Sequence, residues 1–116
     1  MPKLAVSNKV VVPVKFGMQD GAKVTPFKFS LICDRLPTDE FQERIKDDKG
    51  VPTNAKIKEL MTKITTGWDG QTFILEDDGT PAAFNEENLE MMLGAAGVLD
   101  LVVESYMKEG AARAKN

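Results

Sequence analysis

Histidine is absent from the chain, and cysteine, tryptophan and tyrosine occur once each, as Cys33, Trp68 and Tyr106. Without histidine, every His-based catalytic triad and the usual Cys/His zinc site are excluded. A single cysteine excludes an internal disulfide and fits a reduced, cytoplasmic setting. No apolar run approaches the ~20 residues that a membrane-spanning helix needs. The opening stretch Met1–Asn8 lacks the apolar core of a signal peptide, so neither secretion nor membrane insertion is expected. A basic footprint is also missing: 15 Lys and Arg are scattered among 18 Asp and Glu for a net charge of -3, so nucleic acid is not an expected partner.

What is present suits an ordinary globular domain. With 116 residues, 42% hydrophobic and 28% charged, the chain is expected to form one domain over 1–116 around a modest core. Val10, Val12, Val14 and Phe16 alternate with Val11, Pro13 and Lys15, the period of a strand with one buried face. After Gly17–Gly21, read as a hairpin loop of five residues or slightly more, the alternation resumes at Thr25, Phe27, Phe29, Leu31 and Cys33. Pro13 and Pro26 each lack a ladder donor, so each must lie at an edge, a bulge or a strand end.

Helical periods follow. Thr38 is positioned to cap a short helix with Asp39 and Glu40 in its first turn and Phe41 and Ile45 on one face. Thr53 or Asn54 caps a second, whose Ile57, Leu60, Met61 and Ile64 fall at i, i+3, i+4 and i+7. A short third strand is expected over Thr72–Leu75, closed by the Asp78-Gly79 turn. Asn85 caps a third helix through Leu89, Met92, Leu93 and Ala96, and Gly97 interrupts it as a kink or a break. A last helix from Val98 to about Lys108 carries Leu99, Val102, Val103, Tyr106 and Met107, and 110–116 reads as a frayed tail. The expected class is α+β: a small antiparallel sheet, made of the N-terminal hairpin plus the third strand, packed with about four helices, the C-terminal half mainly helical.

No constellation carries chemistry. Glu76-Asp77-Asp78-Gly79 lacks the spacing of a calcium loop and reads as a solvated turn. Gly94-Ala95-Ala96-Gly97 is not followed by Lys-Ser/Thr and reads as a helix joint rather than a phosphate loop. Cys33 shares the alternation of Phe27, Phe29 and Leu31, which favours a small buried hydrophobe over a reactive thiol. No catalytic, cofactor-binding or metal-ligating residues are assigned. Trp68, Phe73, Leu75 and Phe84 are expected to form a joint that pins the sheet to the C-terminal helices. On the last helix the apolar face spans about half the circumference, and Leu101 falls outside it beside Ser105 and Lys108. Leu101, with Val98 at the margin of that face, is the candidate partner contact.

In its order of short motifs the chain resembles the tail assembly chaperones of long-tailed bacteriophages. The resemblance rests on a strand pair ending in Asp34-Arg35-Leu36, then a Pro37-Thr38-Asp39-Glu40 helix and a tryptophan after the second helix. An acidic Asp78-Gly79-Thr80-Pro81 turn follows, then Phe84-Asn85-Glu86-Glu87-Asn88-Leu89, a helix bearing Tyr106, and Ala112 to Asn116. It implies a non-enzymatic protein in the cytoplasm of a bacterial host. Such a protein binds the tape measure protein, keeps it from aggregating before tail tube polymerisation, and is absent from the mature virion. It also implies a longer form made by programmed frameshifting that recruits tail tube protein. The codons of Ala114-Lys115-Asn116 could hold a slippery heptamer for that purpose. Self-association stays open. The competing readings are a structural tail component, such as a completion or tube-associated protein retained in the virion, and an enzyme on a small α+β scaffold, which the absence of histidine disfavours.

Overall fold

A computed structural model describes residues 1–114; Lys115 and Asn116, which carry most of the heptamer argument, lie outside the described residues. The described residues form an α+β fold, with a three-stranded antiparallel sheet and four helices. Strands β1 (Lys9–Asp20) and β2 (Lys23–Asp34) form one long hairpin, and helices α1 (Thr38–Arg44) and α2 (Asn54–Ile64) follow. Strand β3 (Thr65–Asp69) then joins β2, and helices α3 (Glu86–Leu93) and α4 (Val98–Gly110) close the chain.

The hairpin is longer than the sequence reading had it. Gly17–Asp20 is strand, and the loop is only Gly21 and Ala22, between the paired Asp20 and Lys23. Gly21 has φ 63° and Ala22 an ordinary negative φ, the pattern of a II′ turn with glycine in its first central position. Gly17 therefore lies within a strand, paired with Pro26, rather than in a turn. At about 3.4 Å per residue, twelve-residue strands span about 40 Å, long compared with the molecule's 50 Å greatest extent.

Both prolines sit where a strand can tolerate them. Antiparallel pairs alternate between exchanging two N–H···O bonds and exchanging none. Pro13↔Ser30 and Gly17↔Pro26 lie four pairs apart, so they belong to one class, and only the class without exchanged bonds can hold a proline. In that class the backbone groups point away from the partner strand. Each proline thus removes a donor from an outer edge: Pro13 from the free side of β1, and Pro26 from the part of β2 beyond β3, which reaches only Ser30. Further strands are discouraged from adding there.

The third strand is displaced from the expected position. Thr72–Leu75 is not strand; β3 is Thr65–Asp69, paired with Ser30–Cys33 across a bulge at Ile32/Cys33. β-Branched Thr65 and Thr66, followed by Gly67 and Trp68, suit the pleat directly after α2. In the 71–82 segment a buried glutamine supplies the hydrogen bonds that a neighbouring strand would have given. The Gln71 amide nitrogen donates to the carbonyls of Ile74 and Ala82, both at 3.0 Å, and its oxygen accepts from the N–H groups of Phe73 at 3.0 Å and Ile74 at 2.8 Å. Gln71 is only 3% exposed, and these four bonds satisfy its amide.

Helix boundaries follow their caps. Thr53 Oγ1 accepts from Lys56 N–H at 3.2 Å, and Asn85 Oδ1 accepts from Asn88 N–H at 2.7 Å. Thr38, expected as a cap, lies inside α1, whose N-cap is Pro37 without a side-chain bond. α3 ends at Leu93, short of Ala96, and Gly97 at φ 82° opens α4, so the interruption is a break rather than a kink. Gly110 closes α4, and 111–114 have no regular structure; the expectation of a frayed tail otherwise falls outside the described residues. The core gathers Val10, Val12, Val14, Phe29, Leu31 and Cys33 of the sheet against Leu60, Met61, Leu89, Met92, Val98 and Val102 of the helices.

Candidate interaction surface

α4 lies along the free side of β1, running in the opposite direction, and three side chains strap it there. Ser105 Oγ donates to the Pro13 carbonyl at 2.6 Å, the outward acceptor left by the proline's place in the ladder. Tyr106 Oη donates to the Asp34 carbonyl at 2.8 Å and accepts from Leu36 N–H at 3.1 Å. Arg35 donates to the carbonyls of Gly110 at 2.9 Å and Ser7 at 3.2 Å, tying both chain ends to the hairpin base. The Tyr106 ring stacks on Phe41 with centroids 5.6 Å apart. Burial raises the Tyr106 hydroxyl above the usual phenol range, which keeps it a neutral donor.

These straps fix which side of α4 faces out. Val98, Val102 and Tyr106, at i, i+4 and i+8, point into the core, and Leu99 and Val103 are half-buried beside them. Val98 is 1% exposed, which removes it from the candidate partner surface. It follows directly on the left-handed turn at Gly97, and that turn aims the first residue of α4 inward. Leu101 is 40% exposed, and Met107, expected on the apolar face, is also open to solvent. Leu101 stands on one wall of an open groove of about 370 Å³ with Glu104, Ser105, Lys108 and Glu109; Pro13, Val14, Lys15 and Lys28 of the hairpin form the other wall.

Of the four residues of the expected joint, Trp68 and Phe84 meet between the sheet and the C-terminal helices, while Phe73 and Leu75 lie elsewhere. Trp68 meets Phe84 edge-on at 5.3 Å, linking β3 to the approach to α3. Phe73 reaches the hairpin instead, with ring centroids 5.2 Å from Phe16 and 4.9 Å from Phe27. Leu75 is 53% exposed and belongs to no joint: Gln71 holds both backbone groups of Ile74, which turns Ile74 into the core and its successor out. The acidic turn is solvated, with Leu75 and Pro81 bridged at its neck and Glu76 N–H donating to the Thr80 carbonyl at 2.8 Å. Hydrogen bonds from the Thr80 hydroxyl and N–H hold the Asp78 carboxyl below its usual range.

Among the described residues no cluster of three or more Cys, Asp or Glu could hold a metal ion. No helix among them is long and apolar enough to cross a membrane. Cys33 is fully buried, and burial pushes its thiol up to about 11. Sequence reasoning missed Lys15 and Lys28, which the register places directly opposite each other on the outer face of the hairpin. Only the correct loop length, and hence the register, could have revealed that pair. No family model matches the chain, and searches of curated proteins and of solved structures likewise find no match.

Proposed function

We propose that this chain is a tail assembly chaperone of a long-tailed bacteriophage. It binds helical segments of the tape measure protein and covers their apolar faces until the tail tube forms around them. The order of motifs from Asp34 to the Tyr106 helix supports the class. The observation that carries the binding mode is Leu101. It is an apolar side chain held out to solvent on a helix whose opposite face is strapped to the sheet, beside an open groove. An amphipathic helix laid into such a groove buries apolar surface on both partners. In this reading the protein is non-enzymatic, works in the host cytoplasm, is absent from the mature virion and engages tail tube protein through a frameshift-extended form.

The test is co-expression with the tape measure protein of the same phage. The tape measure protein should be soluble and co-purify with the wild-type chain, and it should aggregate alone. Leu101→Glu should lose the client while melting like wild type, because the residue is exposed. Equal solubility of the client with and without this chain overturns the reading. A second reading, a structural tail component retained in the particle, is favoured by the projecting hairpin, a shape suited to reaching a neighbouring subunit. Its discriminating result is this chain in finished virions by mass spectrometry.

A further inference from the structure

We infer that the Lys15–Lys28 pair marks the docking face for the client, and that the client segment is an amphipathic helix with acidic side chains beside its apolar stripe. The inference rests on the chaperone reading and adds the surface and the partner's charge. Lys15 and Lys28 are direct cross-strand partners on the outer face, with Cβ atoms on the order of 5 Å apart in such a pair. Like charges so placed work against the hairpin. Among the described residues neither lysine takes part in an ion pair. The carboxylates facing them across the groove are Glu104 and Glu109, and Glu109 is already engaged by Arg113. Lys108 adds a third cation to the same groove.

Position gives the pair its meaning. Lys15 and Lys28 line the groove that holds Leu101, and they also line a second, open hollow of about 600 Å³ with Phe16, Gly17, Pro26 and Phe27. The pair therefore lies where the two hollows meet, and in the Leu101 groove three lysines face two glutamates, one of them already held by Arg113, which leaves a cationic excess. A partner strand is disfavoured, because Pro13 and Pro26 remove outward donors from both edges. The occupant must then meet side chains rather than backbone. A helix laid over the outer seam between α4 and the hairpin does so, with apolar residues on Leu101 and Pro13 and carboxylates toward Lys15 and Lys28.

Lys28→Glu tests this with two readouts that move in opposite directions. It turns a like-charge pair into an opposite-charge pair, so the melting temperature should stay level or rise. Capture of the co-expressed tape measure protein should fall by about tenfold. Lys15→Glu should do the same independently, whereas Lys15→Arg with Lys28→Arg should retain capture. Raising the salt concentration should weaken wild-type capture and leave the residual capture by Lys28→Glu nearly unchanged. If the wild-type chain captures the tape measure protein and both glutamate variants capture it equally well, the docking face is overturned while the chaperone reading stands. If the wild-type chain captures none, the chaperone reading fails and the docking face falls with it.

Discussion

At its base the hairpin carries Val10, Val12, Leu31 and Cys33, each 5% exposed or less; toward its tip the same face carries Phe16, Met18, Thr25 and Phe27, all only partly covered. The alternation is the same throughout, and the neighbours differ. β3 pairs only with Ser30–Cys33, and α4 spans thirteen residues, about 20 Å, against the 40 Å of β1. Gly110 packs near Val10, Ser105 meets Pro13, and Leu101 shares the groove with Lys15, so the helix begins where the tip half of the hairpin starts. Strand periodicity sets which face turns inward, and the lengths of the elements laid on it set how far along the strand burial extends. The tip half rests instead on one aromatic cluster, in which Phe73 touches Phe16 and Phe27.

The largest effect should come from testing that contrast directly. Leu31 is fully buried between Val12 of β1 and Trp68 of β3, so Leu31→Ala should cost about 3 kcal/mol in denaturant unfolding. Phe27→Ala removes a larger side chain but from the half-covered tip, and should cost about half as much. Amide exchange should rank the same way, with Met18 and Thr25 opening locally while Val12 and Leu31 exchange only with global unfolding. Equal costs for the two variants would mean that the hairpin is one cooperative unit and the contrast has no energetic content.

Which parts of this arrangement could be read from the sequence follows from which signals are local. The faces of β1 and β2, the caps Thr53 and Asn85 and the exposed position of Leu101 depend on nearest-neighbour periodicity and were legible. The third strand was not. Thr65-Thr66-Gly67-Trp68 alternates too briefly to outweigh the helix before it, and Phe73-Ile74-Leu75 looks more strand-like than it is, because the structure there depends on one buried glutamine. Val98 was misplaced for a similar reason: a helical wheel gives relative angles, while the turn at Gly97 sets the absolute rotation. Lys15 and Lys28 required register, which a loop misjudged by three residues conceals.

The base of the hairpin should also respond to alkaline pH in a way the tip does not. Thr65 Oγ1 donates to the Met61 carbonyl at 2.6 Å and lies 3.4 Å from Cys33 Sγ, so the thiol sits in a closed, packed site. Burial favours the protonated thiol and raises its pKa to about 11, outweighing the hydrogen bond with Thr65, which acts in the opposite direction. The unfolded chain releases that proton at about pH 8.5 and above. Between the two values the folded state holds a proton that the unfolded state has lost, so stability is fully present below the unfolded value and falls as pH rises through the folded one. Wild type should lose about 2 kcal/mol between pH 8 and pH 11 relative to Cys33→Ala over the same interval, measured by urea unfolding. Parallel pH profiles would place the thiol in contact with water and the base of the hairpin in a looser state than its burial indicates.

The smallest effect is expected at Gly17, in the tip half. A Cβ built there would come within 2.7 Å of Val24 Cγ1 and meet nothing else. In the base of the hairpin such a contact would force a packed side chain off its rotamer. Val24 is 65% exposed on the outer face, so it can rotate away with little loss. Alanine also lowers the entropy of the unfolded chain relative to glycine, and Gly17 has no positive φ that alanine would strain. The two terms oppose each other at a similar size, and Gly17→Ala should shift stability by no more than about 0.5 kcal/mol in either direction. A loss of 2 kcal/mol or more in denaturant unfolding would show Val24 held in place, and would make the tip a packed element rather than a solvated extension of the sheet.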